Sequence, residues 1–117
     1  VCPLIDARRM EVYAAVYDKQ LTEITAPHAM ILDKEGFSSL LQGLAHQAEA
    51  DILFCGNGSP KVPGDFLNHR HIISNIQADA SHLVALAADL FRKEDHADTV
   101  YTEPVYIKEF YTVKRKD

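Results

Sequence analysis

The strongest constraint on the fold is an alternation of apolar and polar side chains near the start of the chain. Residues 1–5 are largely apolar, and from residue 11 to residue 17 Val12, Ala14 and Val16 alternate with neighbours that point the other way. A period of two places successive side chains on opposite faces of a β-strand. Because the residues between the two runs are polar and suited to a tight turn, the sequence predicts an antiparallel hairpin.

The following residues predict more strands and a helix. A third strand is expected within residues 21–32, with Pro27 at an edge or a bulge because proline cannot donate to a ladder. Apolar residues at helical spacing predict a helix from Phe37 to Ala48, with Asp33 as its N-cap. A buried strand at 52–55, a short or irregular helix between 59 and 67 and a short strand at 71–73 complete this part.

The clearest helical pattern covers residues 80–96. Leu83, Leu86, Leu90 and Phe91 share one face, and Asp79 can cap the first turn. We expect this helix to be a main support of the core. The predicted order is α/β: a mixed five-stranded sheet, three antiparallel strands first, with helices on its faces. Ribonuclease-H-like domains and each lobe of actin-like ATPases share this order.

Length and composition predict one globular domain that does not hold nucleic acid by itself. The chain has 117 residues, and 17 acidic against 12 basic side chains give it a net charge of -5. No stretch is long and apolar enough to span a membrane. Two cysteines far apart suit a reducing compartment and therefore the cytoplasm. A start without methionine, within a strand, is what a chain cut from a longer protein would show.

The residues offer little support for catalysis. Asp6 ends the first strand, where a ribonuclease-H-like nuclease places a metal-binding acid, but the end of the fourth strand reads Cys55, Gly56, Asn57, with no carboxylate. Glu11 alone cannot replace the missing acid. His69 and His71, predicted on one side of a strand, lack a third ligand, so no metal site is expected. No activated serine or cysteine is evident.

Two local features have more than one interpretation. The turn at 56–58 could offer backbone amides to a phosphate, as in a nucleotide-binding lobe, although such turns are also ordinary strand exits. The candidate residues for this role are Gly56, Asn57 and Gly58. The charged cluster at the hairpin tip could stiffen the hairpin by mutual salt bridges or act directly at a cleft between lobes. Its members are Asp6, Arg8, Arg9 and Glu11.

Three segments resemble the bacterial TsaB (YeaZ) family, once described as glycoprotease-like. Residues 6–13 match the family's Asp-Ala-Arg followed by Glu-Val-Tyr, residues 56–58 match its glycine turn, and residues 103–108 are similar to its closing Glu-Pro-Val-Tyr-Leu-Arg. The match covers most of the chain in one order. It implies an actin-like C-terminal lobe over residues 1–117, with 103–117 as a C-terminal extension and the N-terminal lobe lacking.

The resemblance also implies a function. Members are non-catalytic partners of TsaD and, with the ATPase TsaE, take part in forming threonylcarbamoyladenosine next to the tRNA anticodon. ATP and metal are then expected on the partner subunits and no cofactor on this lobe. A homodimer would form mainly through the N-terminal lobe. The interaction or lobe-junction candidates are Asp6, Arg8, Arg9, Glu11, Tyr13, Pro104 and Tyr106. A peptidase or a nuclease is the alternative from another class.

Overall fold

The computed structural model describes residues 1–42, 44, 51–74 and 76–108, which form five strands, two α-helices and three short 3-10 turns. The strands are β1 (Cys2–Asp6), β2 (Glu11–Tyr17), β3 (Glu23–Ile31), β4 (Ile52–Cys55) and β5 (His71–Ile73). The α-helices are α1 (Lys34–Gln42) and α2 (Val84–Arg92), and the 3-10 turns are Ser59–Lys61, Gly64–Phe66 and Ala80–Leu83. Two predicted parts lie largely outside the described residues. They are the continuation of the first helix to Ala48 and the rest of the C-terminal extension, residues 109–117.

The strands form one mixed sheet in the order β3-β2-β1-β4-β5. β2 pairs antiparallel with β1 and with β3, whereas β4 runs parallel to β1 and to β5. This arrangement confirms the predicted α/β class and the predicted five-stranded sheet that begins with three antiparallel strands. β3 occupies an edge, and its register with β2 shifts between Ala14 and Val16, so Pro27 lies on an edge strand near a bulge as predicted.

The core lies between one face of the sheet and α1. Alternate residues of β1 and β2 point into it, and Phe54 of β4 is fully buried at its centre, with its ring centroid 5.7 Å from that of Phe37 on α1. Asp33 begins α1 as predicted, because its carboxylate accepts a hydrogen bond from the Gly36 amide at 2.7 Å. The buried apolar residues of this core are Cys2, Leu4, Val12, Ala14, Val16, Leu32, Phe37, Leu40, Leu44, Phe54 and Val62.

The prediction that the helix within 80–96 supports the core is wrong. No residue of α2 is buried, and Leu86 and Phe91 are 62% and 72% exposed. The periodicity was correct for a helix, and Asp79 caps the preceding 3-10 turn by accepting from the Ser81 amide at 2.8 Å. The helix lies outside the core, and its main contacts are with that turn rather than with the sheet.

The position of α2 also explains the burial of β4. A strand covered on both faces was predicted, but only Phe54 of this strand is fully buried, since the face opposite α1 is not covered by α2. The irregular helix predicted between 59 and 67 is confirmed as two short 3-10 turns: Pro60 lies within the first, and Pro63 immediately precedes the second. Over the described residues, no helix has the length and apolar character that a membrane crossing requires.

Candidate interaction surface at the first hairpin

The tip of the β1–β2 hairpin has an unusual backbone. Arg8 and Arg9 both lie in the left-handed region, with φ of 69° and 49°. Two backbone bonds close the turn, from the Ala7 amide to the Glu11 carbonyl at 3.1 Å and from the Glu11 amide to the Arg8 carbonyl at 3.0 Å. Non-glycine residues adopt this conformation at a cost of roughly 1–2 kcal/mol each. The turn therefore holds two exposed arginines next to each other in a strained backbone.

Asp6 stabilises this turn. Its carboxylate accepts from the Arg8 amide at 2.6 Å and forms an ion pair with the ammonium of Lys61. The hydrogen bond from Lys61, followed by the hydrogen bond from the Arg8 amide, lowers the pKa of Asp6 below its ordinary value. The carboxylate that a metal-dependent nuclease would need at this position is thus engaged by a cation of the chain itself.

Lys61 is a residue of the site that sequence reasoning missed. It lies on the 3-10 turn after β4, and besides Asp6 its ammonium donates to the carbonyl oxygens of Arg9 at 2.7 Å and Glu11 at 3.3 Å. Its side chain is only 20% exposed. No local sequence pattern predicts this role, because the lysine lies fifty or more residues from its partners and meets them through the parallel pairing of β1 with β4.

Mutual salt bridging within the charged cluster is not what the structure shows. Asp6 pairs with Lys61, and Glu11 pairs with Lys108, whose ammonium lies 2.5 Å from the Glu11 carboxylate. Among the ion pairs of the described residues, neither acid is joined to an arginine of the tip. The acids therefore bind segments that are distant in sequence, and the guanidinium groups stay on the exposed surface.

The glycine turn after β4 is fastened to the same hairpin. Gly56 has a φ of +90°, and its amide donates to the Ile76 carbonyl at 2.9 Å, while the Gly58 amide donates to the Leu4 carbonyl at 2.9 Å. The Asn57 side chain accepts from the Asp6 amide at 2.9 Å. Two of the three amides proposed for a phosphate thus donate within the chain. The geometry favours a structural turn, and nucleotide binding here stays a prediction.

The last described residues reach the hairpin from the other side of the sheet. Ile107 and Tyr13 both line a groove of about 170 Å³. Tyr13, one of the interaction candidates, therefore belongs to this side of the hairpin. The other residues that line the groove are Pro3, Ile5, Ala14, Ala15, Tyr17 and Pro27. Pro104 and Tyr106 precede this contact and are exposed. The end of this segment packs on the sheet of its own chain.

The prediction that His69 and His71 share one side of a strand is wrong, because β5 begins at His71 and His69 lies in the turn before it. The His71 ring packs edge-on against Phe37 and Phe54, with centroids 5.9 and 5.6 Å away, and this burial lowers the pKa of His71. The part of the chain that the structure describes holds no group of three or more His, Cys, Asp or Glu residues placed to bind a metal ion.

The two cysteines are free thiols on opposite faces of the sheet. Cys2 belongs to the core, and burial raises its pKa to about 12, whereas Cys55 is partly exposed and its pKa is raised less far by partial burial. Burial outweighs the effect of the N-terminal ammonium, which lowers the pKa of both thiols, so both pKa values are raised and the thiolate form is disfavoured. Comparison with known proteins adds no assignment: no family model matches the chain, and a search of curated proteins finds no match.

Proposed function

We propose that this chain is the C-terminal lobe of a TsaB-type subunit, a non-catalytic partner in the synthesis of threonylcarbamoyladenosine on tRNA. In this proposal the lobe supports a TsaD-type catalytic subunit in the cytoplasm, together with a TsaE-type ATPase. ATP and metal are bound by those partners. The proposal begins from the resemblance of three sequence segments and is supported by how the structure arranges them.

The observation that carries the proposal is that these three segments meet at one place. The glycine turn is bound to the hairpin through the Asn57 side chain and the Asp6 amide, 2.9 Å apart. The closing segment is bound to it through Lys108 and Glu11, which are separated by 97 positions in sequence and by 2.5 Å in space. The contact of all three segments at one place supports the interpretation that they belong to one structural unit.

The strand order supports the same assignment at the level of the fold. Three antiparallel strands in the spatial order β3-β2-β1, followed by β4 and β5 parallel to β1, are the arrangement expected of a ribonuclease-H-like or actin-like lobe. Since many functions share such folds, the fold by itself favours no activity.

The chemistry of the hairpin favours a supporting role over catalysis. A two-metal nuclease needs carboxylates from neighbouring strand ends that are free to bind cations. Here Asp6 is paired with Lys61, and the residue that follows β4 and Gly56 is Asn57, which accepts a backbone hydrogen bond. What the hairpin presents to a partner is the pair of exposed arginines, Arg8 and Arg9.

Complementation tests this function in cells that depend on the longer protein implied by the resemblance. Depletion should lower threonylcarbamoyladenosine in hydrolysed tRNA, as measured by mass spectrometry, and the wild-type gene should restore it. Arg8→Glu should restore less modification and retain less TsaD on co-purification. Lys19→Glu is the matched control, because it makes the same charge change at the exposed turn at the opposite end of β2. Unchanged modification after depletion would overturn the proposal.

A further inference from the structure

The tip of the first hairpin carries two positive charges that its neighbouring acids do not neutralise. Asp6 and Glu11 flank the tip, but each is paired with a lysine from a distant segment. Within the part of the chain that the structure describes, no ion pair involves Arg8 or Arg9. The tip therefore keeps a local surplus of positive charge on a chain whose net charge is -5.

Lys61 holds the backbone of this tip in place. Its ammonium pairs with the Asp6 carboxylate and donates to the carbonyl oxygens of Arg9 at 2.7 Å and Glu11 at 3.3 Å. The Asp6 carboxylate in turn accepts from the Arg8 amide at 2.6 Å. Because one side chain that is only 20% exposed joins three groups of the turn, the conformation of the turn is fixed before a partner binds.

Arginine is an unfavourable residue for this turn. Arg8 and Arg9 both have a positive φ, a region that glycine enters readily and that side chains with a Cβ avoid. Residues in sparsely populated conformations persist only where the surrounding structure holds them, and they concentrate at functional sites. The bonds from Lys61 and Asp6 supply that hold, and what they keep on the surface is a pair of guanidinium groups.

Exposed apolar side chains adjoin the two arginines. Met10, which follows them, is 47% exposed, and Ile31, the last residue of β3, is 53% exposed. The Met10 carbonyl accepts from the Leu32 amide at 2.7 Å, so the turn and the end of β3 form one continuous edge. Arginine and methionine are enriched in protein–protein interfaces, whereas lysine is depleted. The tip surface, defined here as Arg8, Arg9, Met10 and Ile31, has this composition.

We propose that the tip surface binds an acidic protein surface on which two carboxylates lie side by side, one for each arginine. A guanidinium group binds a carboxylate through two parallel hydrogen bonds, and a turn that is already ordered reduces the entropy lost on binding. Lys61 is then a positioning residue. A nucleic acid is the less favoured partner, because a chain with a net charge of -5 repels a run of phosphates. The inference rests on the proposed function only for the identity of the partner.

Titration with hexaglutamate at low ionic strength tests the class of partner. In the full chain, the peptide should shift the side-chain Nε–Hε NMR signals of Arg8 and Arg9 and leave that of Arg92, an exposed arginine at the end of α2, in place. Arg8→Gln should weaken binding about three-fold. Lys19→Gln, the same charge loss at the opposite end of β2, should leave it unchanged. Equal shifts at Arg92, equal effects of the two variants, or tighter binding of an RNA hexanucleotide overturns the proposal.

A charge-balanced double substitution tests the role of Lys61. Asp6→Asn with Lys61→Gln keeps the net charge but removes the ion pair that holds the turn, so hexaglutamate should bind at least about three-fold more weakly. Asp89→Asn with Lys93→Gln removes an exposed ion pair of α2 and is the matched control, with unchanged affinity. Circular dichroism verifies the fold of both chains. Equal affinities overturn the positioning role. These binding results do not depend on tRNA modification, so their failure is distinct from failure of the proposed function.

Discussion

The glycine turn after β4 gives the sharpest test of how the hairpin is held. Gly56 has a φ of +90°, and a Cβ added there would lie 2.4 Å from the Leu4 carbonyl oxygen. Gly56→Ala therefore adds left-handed strain of roughly 1–2 kcal/mol. It also pushes β1 from the turn and disturbs the Gly58–Leu4 hydrogen bond, which costs about 1 kcal/mol more. The expected loss in the free energy of unfolding is about 2–3 kcal/mol.

The matched control for this substitution is Gly64→Ala. A Cβ at Gly64 meets no atom within 4 Å, and Gly64 has no positive φ, so the change should stay within about 0.5 kcal/mol. Urea unfolding followed by circular dichroism measures both free energies. At about 4 °C per kcal/mol, Gly56→Ala should also lower Tm by roughly 8–12 °C. Equal free energies of unfolding for the two variants would refute the conclusion that Gly56 is required to hold the turn against β1.

The remaining predictions concern titration, ion pairing and thiol access. Burial lowers the pKa of His71, so the unfolded chain binds this proton at a higher pH than the folded chain. The free energy of unfolding should therefore fall as the pH drops through about 6.5. Urea midpoints should show this loss in the wild type and not in His71→Gln. Glu11→Gln should cost at most about 1 kcal/mol, because the pair with Lys108 is partly exposed, and the difference from wild type should shrink in melts at high salt; a loss that salt leaves unchanged would contradict this reasoning. One thiol, Cys55, should react with a maleimide in the native protein and both after denaturation, whereas rapid native modification of Cys2 would contradict its place in the core.

Sequence periodicity was sufficient to predict most strands and helices and the face of the sheet that α1 covers. Alternation in β2 placed Val12, Ala14 and Val16 on one side, and these are the residues that the core buries. Asp33 was recognisable as a cap because the carboxylate acts on amides only a few residues away. Such local rules work when the interacting groups are close in sequence.

The same periodicity could not predict what each helix packs against. The exposed apolar residues of α2 show that the helix has a face to bury, but their spacing does not say which surface would cover it. Lys61 was missed for a related reason, since its partners Asp6, Arg9 and Glu11 come from a hairpin that precedes it by fifty residues or more. The ion pair between Lys108 of the closing segment and Glu11 could not be predicted from the sequence for the same reason.

The strained tip of the first hairpin carries two residues that the fold itself does not require. Asn-Gly is the pair that turns with positive φ favour, so replacing Arg8 and Arg9 by Asn and Gly relaxes the backbone while it removes both positive charges. A chain altered in this way should be at least as stable as the wild type, although it lacks the two adjacent positive charges of the tip. The two adjacent arginines are thus kept at this turn at the cost of a strained backbone, which a chain selected for stability alone would replace by Asn and Gly.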